Sequence, residues 1–222
     1  MGIGRSSQLA GSGHLGTLLF LANVVIMSKR KLEIDSTTRN EWERRQRLDA
    51  RDASAFYFER ILPAVVRHHQ QDAAPGPRIE FLVSLMGLSP ETTAIATAFL
   101  KPTRLEIVAS HHSLRYCDQC IEFLAANALI RPEMISVRRV DPTDHDELFK
   151  ALCDALATTT ESRLVDVTGG KKVMSAVAGY AAWINGVPIC YLESGAYNEQ
   201  MRRPEPGSET LVILDPPVQR DR

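Results

Sequence analysis

The sequence predicts an α/β fold, a mostly parallel sheet with helices on both faces, preceded by an N-terminal helical segment. Two observations carry that expectation. From Arg78 to Leu214, short apolar runs alternate with longer helical ones, the order of repeated strand–helix–strand units. Within that region, Leu164–Val167 reads as a buried strand running into a tight glycine turn and a new helix. A length of 222 residues, 44% hydrophobic and 24% charged, suits one globular domain with an appendage.

Taken in order, residues 1–31 come first. No formal charge occurs from Leu9 to Met27, and Leu15–Met27 is strongly apolar. Nineteen uncharged residues fall just short of the ~20 that cross a bilayer. A secretory signal is disfavoured because the basic cluster Lys29-Arg30-Lys31 follows the apolar run. The same cluster would hold the rest of the chain on the cytoplasmic side of an inner membrane. Ser12, Gly16 and Asn23 share one helical face, suited to helix–helix contact in lipid or to a polar lining. Two readings compete with a membrane helix: an apolar helix packed on the domain, and translation starting at Met27.

Residues 32–77 read as a connecting helix and linker. Thr38-Arg39-Asn40-Glu41 has the spacing of a capping box, and Glu41–Arg51 carries mixed charges, the pattern of a solvated face. Pro63 should end or kink this helix, and Ala73-Ala74-Pro75-Gly76-Pro77 should mark the boundary. His68 and His69 close the helix and need no role beyond its C-terminal charge.

Residues 78–216 form the expected domain. Strands are predicted at Ile79–Leu85, Arg104–Ala109, Met134–Val140, Leu164–Val167, Ile189–Leu192 and Thr210–Leu214. Helices are predicted at Glu91–Leu100, Leu114–Leu129, Asp144–Thr158 and Met174–Ile184. Right-handed crossovers between parallel strands make the arrangement Rossmann-like, and ligands on such sheets bind beyond the carboxyl ends of the strands. Residues 217–222 are a charged tail. With so little chain after Leu214, any output is expected from the first 75 residues.

The stretch richest in chemistry is Asp166-Val167-Thr168-Gly169-Gly170-Lys171-Lys172-Val173-Met174-Ser175. Paired glycines let backbone approach a ligand, and a helix starting at Lys171 or Lys172 aims free N–H groups into the turn. Lysines beside it add point charges suited to phosphate. The spacing is neither a Walker A loop nor G-x-G-x-x-G, and a close-packed βα turn would leave a similar trace. Net charge is −1, so no broad field gathers long nucleic acid, and a bound polyanion should be small.

The string resembles the signature of the CARF family, the CRISPR-associated Rossmann-fold sensors of cyclic oligoadenylates. It matches at Asp166, Thr168, Gly169, Gly170, Lys172, Met174 and Ser175, while Lys171 stands where a small polar residue is more usual. The first strand empties into Ser84-Leu85-Met86-Gly87-Leu88-Ser89-Pro90, similar to the family's glycine-containing first loop, and Ser110 follows the second strand as it does there. The resemblance covers about 79–215. It implies ligand contacts from Met86, Gly87, Leu88, Ser89, Ser110, Thr168, Gly169, Gly170, Lys171, Lys172 and Met174, with Ser84 also near the adenine. It further implies a homodimer, or a larger homo-oligomer, holding a cyclic oligoadenylate, the four-nucleotide ring being expected, within type III CRISPR antiviral signalling.

With the N-terminal apolar run, the chain resembles membrane effectors in which ligand binding acts on a transmembrane bundle. The competing expectation is a metal-independent ring nuclease, with Lys172, Ser84 and Ser89 at the reacting phosphate and ribose. A transcription factor is a weak third, since no winged helix or helix-turn-helix companion is visible. No resident cofactor is called for. Cys117-x-x-Cys120 with His111 and His112 nearby is only half a zinc site on a predicted helix, so no metal is expected.

Overall fold

The computed structural model describes residues 32–72, 78–199 and 203–216. Three helices come first: α1 (Ser36–Leu48), α2 (Ala50–Phe56) and α3 (Leu62–Asp72). The repeating region gives β1 (Phe81–Met86), α4 (Pro90–Leu100), β2 (Arg104–Ser110), α5 (Cys117–Ala126), β3 (Ile135–Val140), α6 (His145–Leu156), β4 (Arg163–Asp166), α7 (Lys172–Ile184) and β5 (Ile189–Ser194). A two-stranded ribbon of β6 (Tyr197–Asn198) and β7 (Arg203–Pro204) precedes the last strand, β8 (Glu209–Leu214).

The six-stranded sheet runs β3-β2-β1-β4-β5-β8. The first five strands are parallel and β8 pairs antiparallel to β5. Chain order reverses between β1 and β4, the switch point where the loops after neighbouring strands diverge and leave room for a ligand. Strand β1 is buried along its whole length, as a central strand with both faces covered must be. Its side chains alternate: Leu82 and Met86 join the core under α4 and α5, while Phe81, Val83 and Leu85 join the one under α6 and α7.

Helices α1–α3 form a layer that shares the core of the domain. Trp42, Tyr57, Phe58, Ile61, Leu62, Val65 and Val66 belong to the same core as Ile95, Phe99 and Phe123. Trp42 was hidden in the sequence by the charges around it in α1. Phe58 meets Phe123 edge-on at 5.6 Å. His69, fully buried, stacks on Phe99 at 4.2 Å and places Nε2 3.1 Å from the Glu209 carboxylate. Arg39 pairs with Glu205 at 2.6 Å.

Pro63 does not stop the helix. A π turn at Tyr57–Ile61 joins α2 to α3, and the Leu62 N–H reaches back to the Tyr57 carbonyl. Proline lacks an N–H and crowds the carbonyl four residues earlier, and the widened turn gives that carbonyl room. The capping box is also displaced: Asp35, rather than Thr38, caps α1, accepting from the Thr38 N–H at 2.9 Å.

No helix among the described residues is long and apolar enough to cross a membrane. The stretch 9–27, with Ser12, Gly16 and Asn23, lies outside the described residues, as do the 73–77 boundary and the 217–222 tail.

Since the N-terminal layer shares the domain core, Phe58→Ala should cost about 3–5 kcal/mol of unfolding free energy. Urea titration of the full chain checks this, and a change near zero would return residues 36–72 to the role of connector.

Candidate functional site

The site is built at the carboxyl ends of β1 and β4, from the loops Gly87–Ser89 and Val167–Lys171. A buried carboxylate sets their positions. Asp166, last residue of β4 and fully buried, accepts from Ser84 Oγ at 2.7 Å, from the Thr168 N–H at 2.9 Å and from the Thr168 hydroxyl. Ser84 lies opposite Asp166 in the β1–β4 register, and its hydroxyl also meets Thr93 Oγ1 of α4 at 3.0 Å. Thr168 Oγ1 in turn accepts from the Leu192 N–H of β5 at 2.9 Å. Burial pushes the Asp166 carboxyl up, against the pull of the hydrogen bonds from Thr168 and Ser84.

Two backbones then touch. A Cβ added to Gly169 would lie 1.9 Å from the Leu85 carbonyl oxygen, and one added to Gly87 would lie 2.7 Å from the Gly170 nitrogen. Gly170 adopts φ +81, the left-handed region that glycine enters at little cost. Behind this turn α7 begins with Lys171 as its N-cap residue. Ser175 secures the turn from below, donating to the Val167 carbonyl at 2.8 Å.

The first turn of α7 holds no acidic residue and no side chain caps it, while Lys171 and Lys172 are both exposed there. The positive end of the helix dipole and two ammonium groups therefore share one small region without a carboxylate in that turn. A phosphate or another small anion fits this arrangement chemically.

The expected contacts divide. Gly87, Leu88, Ser89, Gly170, Lys171 and Lys172 lie at the surface of the rim, Leu88 being two-thirds exposed. Ser89 precedes Pro90 at the start of α4 as expected, yet its side chain makes no capping hydrogen bond to the helix. Ser110, half-buried, ends β2 and hydrogen-bonds Ser113. Gly169 is buried beneath the loop after β1, so it shapes the turn rather than facing outward.

Four side chains turn inward. Ser84 and Thr168 spend their hydroxyls on the Asp166 network. Met86 lies in the core with Cys117 Sγ 3.7 Å from its sulfur. Met174 packs under Gly170, its Sδ 3.4 Å from where a Cβ there would be. Direct ligand contact by these side chains, and a reacting-site role for Ser84, are expectations that this burial does not favour.

Cys117 and Cys120 are buried thiols on α5, and burial pushes them up to about 11 and about 12. Among the described residues, no three His, Cys, Asp or Glu side chains converge as metal ligands would.

The cradle is an open surface. A concavity of about 460 Å³ lies at the opposite, amino-terminal end of the strands, lined by Pro102, Thr103, Leu129, Ile130, Pro132 and Met134. Of these, sequence reasoning noted only Pro102 and Thr103, as part of the stretch leading into the second strand, and it did not list Asp166 among the ligand contacts. Two cues pointed to Asp166: its place at the head of the Thr-Gly-Gly string, and its apolar strand, since a carboxylate following Leu164 and Val165 must find buried donors.

Fold and site together describe an α/β protein with a backbone cradle at the strand carboxyl ends, flanked by two lysines. No family model matches the chain. It is similar to the CRISPR system endoribonuclease Csm6 of Thermus thermophilus, 26% identical in an alignment of 173 residues that covers 73% of this chain. The chain spans about a third, 36%, of that relative's length. Solved structures resemble it as well, two of which follow. Can2 from Sulfobacillus thermosulfidooxidans, in complex with cyclic tetra-adenylate, is 22% identical over 51% of this chain and 32% of its own, with a TM-score of 0.41. An O-methyltransferase family protein from Burkholderia thailandensis is 10% identical over 80% of this chain and 63% of its own, with a TM-score of 0.42.

Because the two loops meet backbone to backbone, Gly169→Ala should unfold the domain or open the turn. The loss should exceed about 3 kcal/mol, beyond the usual range for single substitutions. A thermal midpoint equal to that of the parent chain would mean that the loops do not interlock.

Proposed function

We propose that the chain is a CARF-type sensor that binds a cyclic oligoadenylate at the cradle, within type III CRISPR antiviral signalling. The observation that carries this reading is the Gly169–Gly170 turn held against Gly87, with Lys171 and Lys172 exposed at the start of α7. Similarity to a CRISPR endoribonuclease over most of this chain supports the same reading, as does the Asp-x-Thr-Gly-Gly-x-Lys-x-Met-Ser string. Cyclic tetra-adenylate is the expected ring. The lysines and the α7 N-terminus meet a phosphate of the ring, and Leu88 and Ser89 lie against the nucleoside.

An open cradle leaves one side of a ring uncovered, and a second copy of the chain covers it. Val173, Val177, Tyr180 and Ile184 fall at i, i+4, i+7 and i+11 along α7, and Val173, Tyr180 and Ile184 are exposed. This stripe begins at the cradle and offers a surface on which two copies pair about a twofold axis, each supplying an equal half of the site. The output that we propose is an N-terminal membrane helix over residues 9–27, facing the cytoplasm through its basic flank. Fractionation of cells expressing the full chain tests it: protein recovered wholly without detergent removes the membrane output and leaves the sensor.

Titration calorimetry with cyclic tetra-adenylate tests the sensor itself. Removing both ammonium groups, as Lys171→Ala with Lys172→Ala, should weaken binding about 10- to 100-fold, the worth of one or two charge-assisted hydrogen bonds. Thermal stability should hold, since both side chains are exposed. Unchanged affinity, or no binding by the parent chain, overturns the reading. Tyr180→Asp with Ile184→Asp should yield a monomer in sedimentation and weaken binding in parallel, and a dimer that persists places the interface elsewhere.

A further inference from the structure

The cradle offers groups for phosphate, but its loops give a base no flat wall. Met86 and Met174 are buried, and Leu88 is aliphatic. Such a wall stands beyond β5. That strand runs alongside the glycine turn: the Leu192 N–H donates to Thr168 Oγ1 at 2.9 Å, and Cys190 stands opposite Asp166 in the register. Ser194, at the end of β5, therefore reaches the height of the turn. The ribbon of β6 and β7 follows at once. Tyr197 is three residues past Ser194, so its Cα lies within about 11 Å of that strand end.

The ribbon is braced at its base and from behind. The Gly195 N–H donates to the Ser208 carbonyl at 2.8 Å, and the Glu205 N–H donates to the Ala196 carbonyl at 3.0 Å. Arg39 of α1 pairs with Glu205 at 2.6 Å, and Leu32 lies against Gly207. Within the ribbon, Tyr197 stands opposite Pro204 and Asn198 opposite Arg203, and opposed residues share a face. The Asn198–Arg203 face is half-buried, and the charge of Arg203 acts on Glu91 of α4, just past the cradle loop. The Tyr197–Pro204 face is turned to solvent, with Tyr197 56% exposed.

Among the described residues, the large hydrophobic side chains exposed around the cradle are Leu88, Val173 and Tyr197, and of these Tyr197 alone has an aromatic face. Tyr180 and Trp183 lie two turns or more along α7, and Tyr191 belongs to the middle of β5. A tyrosine has few torsions to lose, and a braced strand pair leaves little backbone freedom to give up on binding. Resting on the cradle reading above, we infer that Tyr197 is a base-stacking residue of the same site, its ring lying against one adenine while the lysines at the start of α7 hold a phosphate. Stacking of a base on an aromatic side chain is worth roughly 5- to 150-fold in affinity.

Titration calorimetry of the full chain with cyclic tetra-adenylate tests this. Tyr197→Ala should weaken binding within that range and keep the parent's thermal midpoint, since the side chain is exposed. Tyr197→Leu, apolar but without a flat face, should lose as much. Tyr197→Phe and Tyr197→Trp should retain the parent's affinity. Tyr197→Ala binding as tightly as the parent overturns the inference, and the sensor reading stands if the two-lysine variant is weakened. Tyr197→Phe as weak as Tyr197→Ala overturns it too, because the hydroxyl rather than the ring would then be the contact. A parent chain that does not bind the cyclic tetra-adenylate removes the sensor reading, and the inference with it.

Discussion

A single buried carboxylate organises the top of the sheet. Asp166 sits where β4 ends, in surroundings that disfavour its charge, and it is tolerable there because Ser84 and Thr168 aim donors at it. Each donor is tied to something further: Ser84 to Thr93 of α4, and Thr168 to the backbone of β5. One acceptor therefore fixes the relative position of β1, α4, the glycine turn and β5. The interlock of Gly87 with Gly169 and Gly170 follows, since backbones meet that closely only when the strands beneath them are held in register. Loss of one donor would leave a buried lone pair unpaired, which costs more than the hydrogen bond contributes.

The electrostatics of the rim differ from those of the network below it. Asp35, Asp49 and Asp144 each cap the helix that follows with a carboxylate that accepts a backbone N–H, the arrangement that neutralises a helix N-terminus. Helix α7 has a lysine at that position and another lysine next to it. In a chain of net charge −1, with acidic caps at three other helix starts, this departure leaves one small positive region. A helix start that works against its own dipole is less stable alone than with an anion beside it. That contrast with the other helices supports the anion reading more than the presence of lysines does.

Much of the fold was legible in the sequence because a parallel sheet covered on both faces needs apolar strands at regular intervals, and each expected strand is present within two residues. The glycine turn was legible because steric exclusion leaves few alternatives to Gly169 and Gly170. What could not be read was the direction of individual polar side chains. Ser84 and Thr168 look like ligand contacts in a list of residues. The parity of β1 places Ser84 with Leu82 and Met86, under α4, and its hydroxyl is consumed there. Pro63 misled for a different reason: the rule that proline stops a helix assumes an α turn, and here a π turn accommodates it. The layer α1–α3 was obscured because a charged face carries most of the letters in Glu41–Arg51, while Trp42 alone carries the packing.

That layer bears on the site through α4. This helix is buried on nearly every side, with the sheet beneath it and α3 and α5 beside it, and its first turn follows directly on the cradle loop. Glu91 in that turn has its carboxyl raised by burial, with Arg203 pulling it down and Glu209 pushing it up. Glu209 is the same carboxylate that meets His69 of α3. Tyr57, at the π turn, is raised by burial and by the charges of Glu209 and Glu91. The N-terminal layer thus packs on the helix that follows the rim loop, and it reaches the last strand through His69 and Glu209. A close-packed interior does not absorb a displacement on one side of such a helix without passing it to the other.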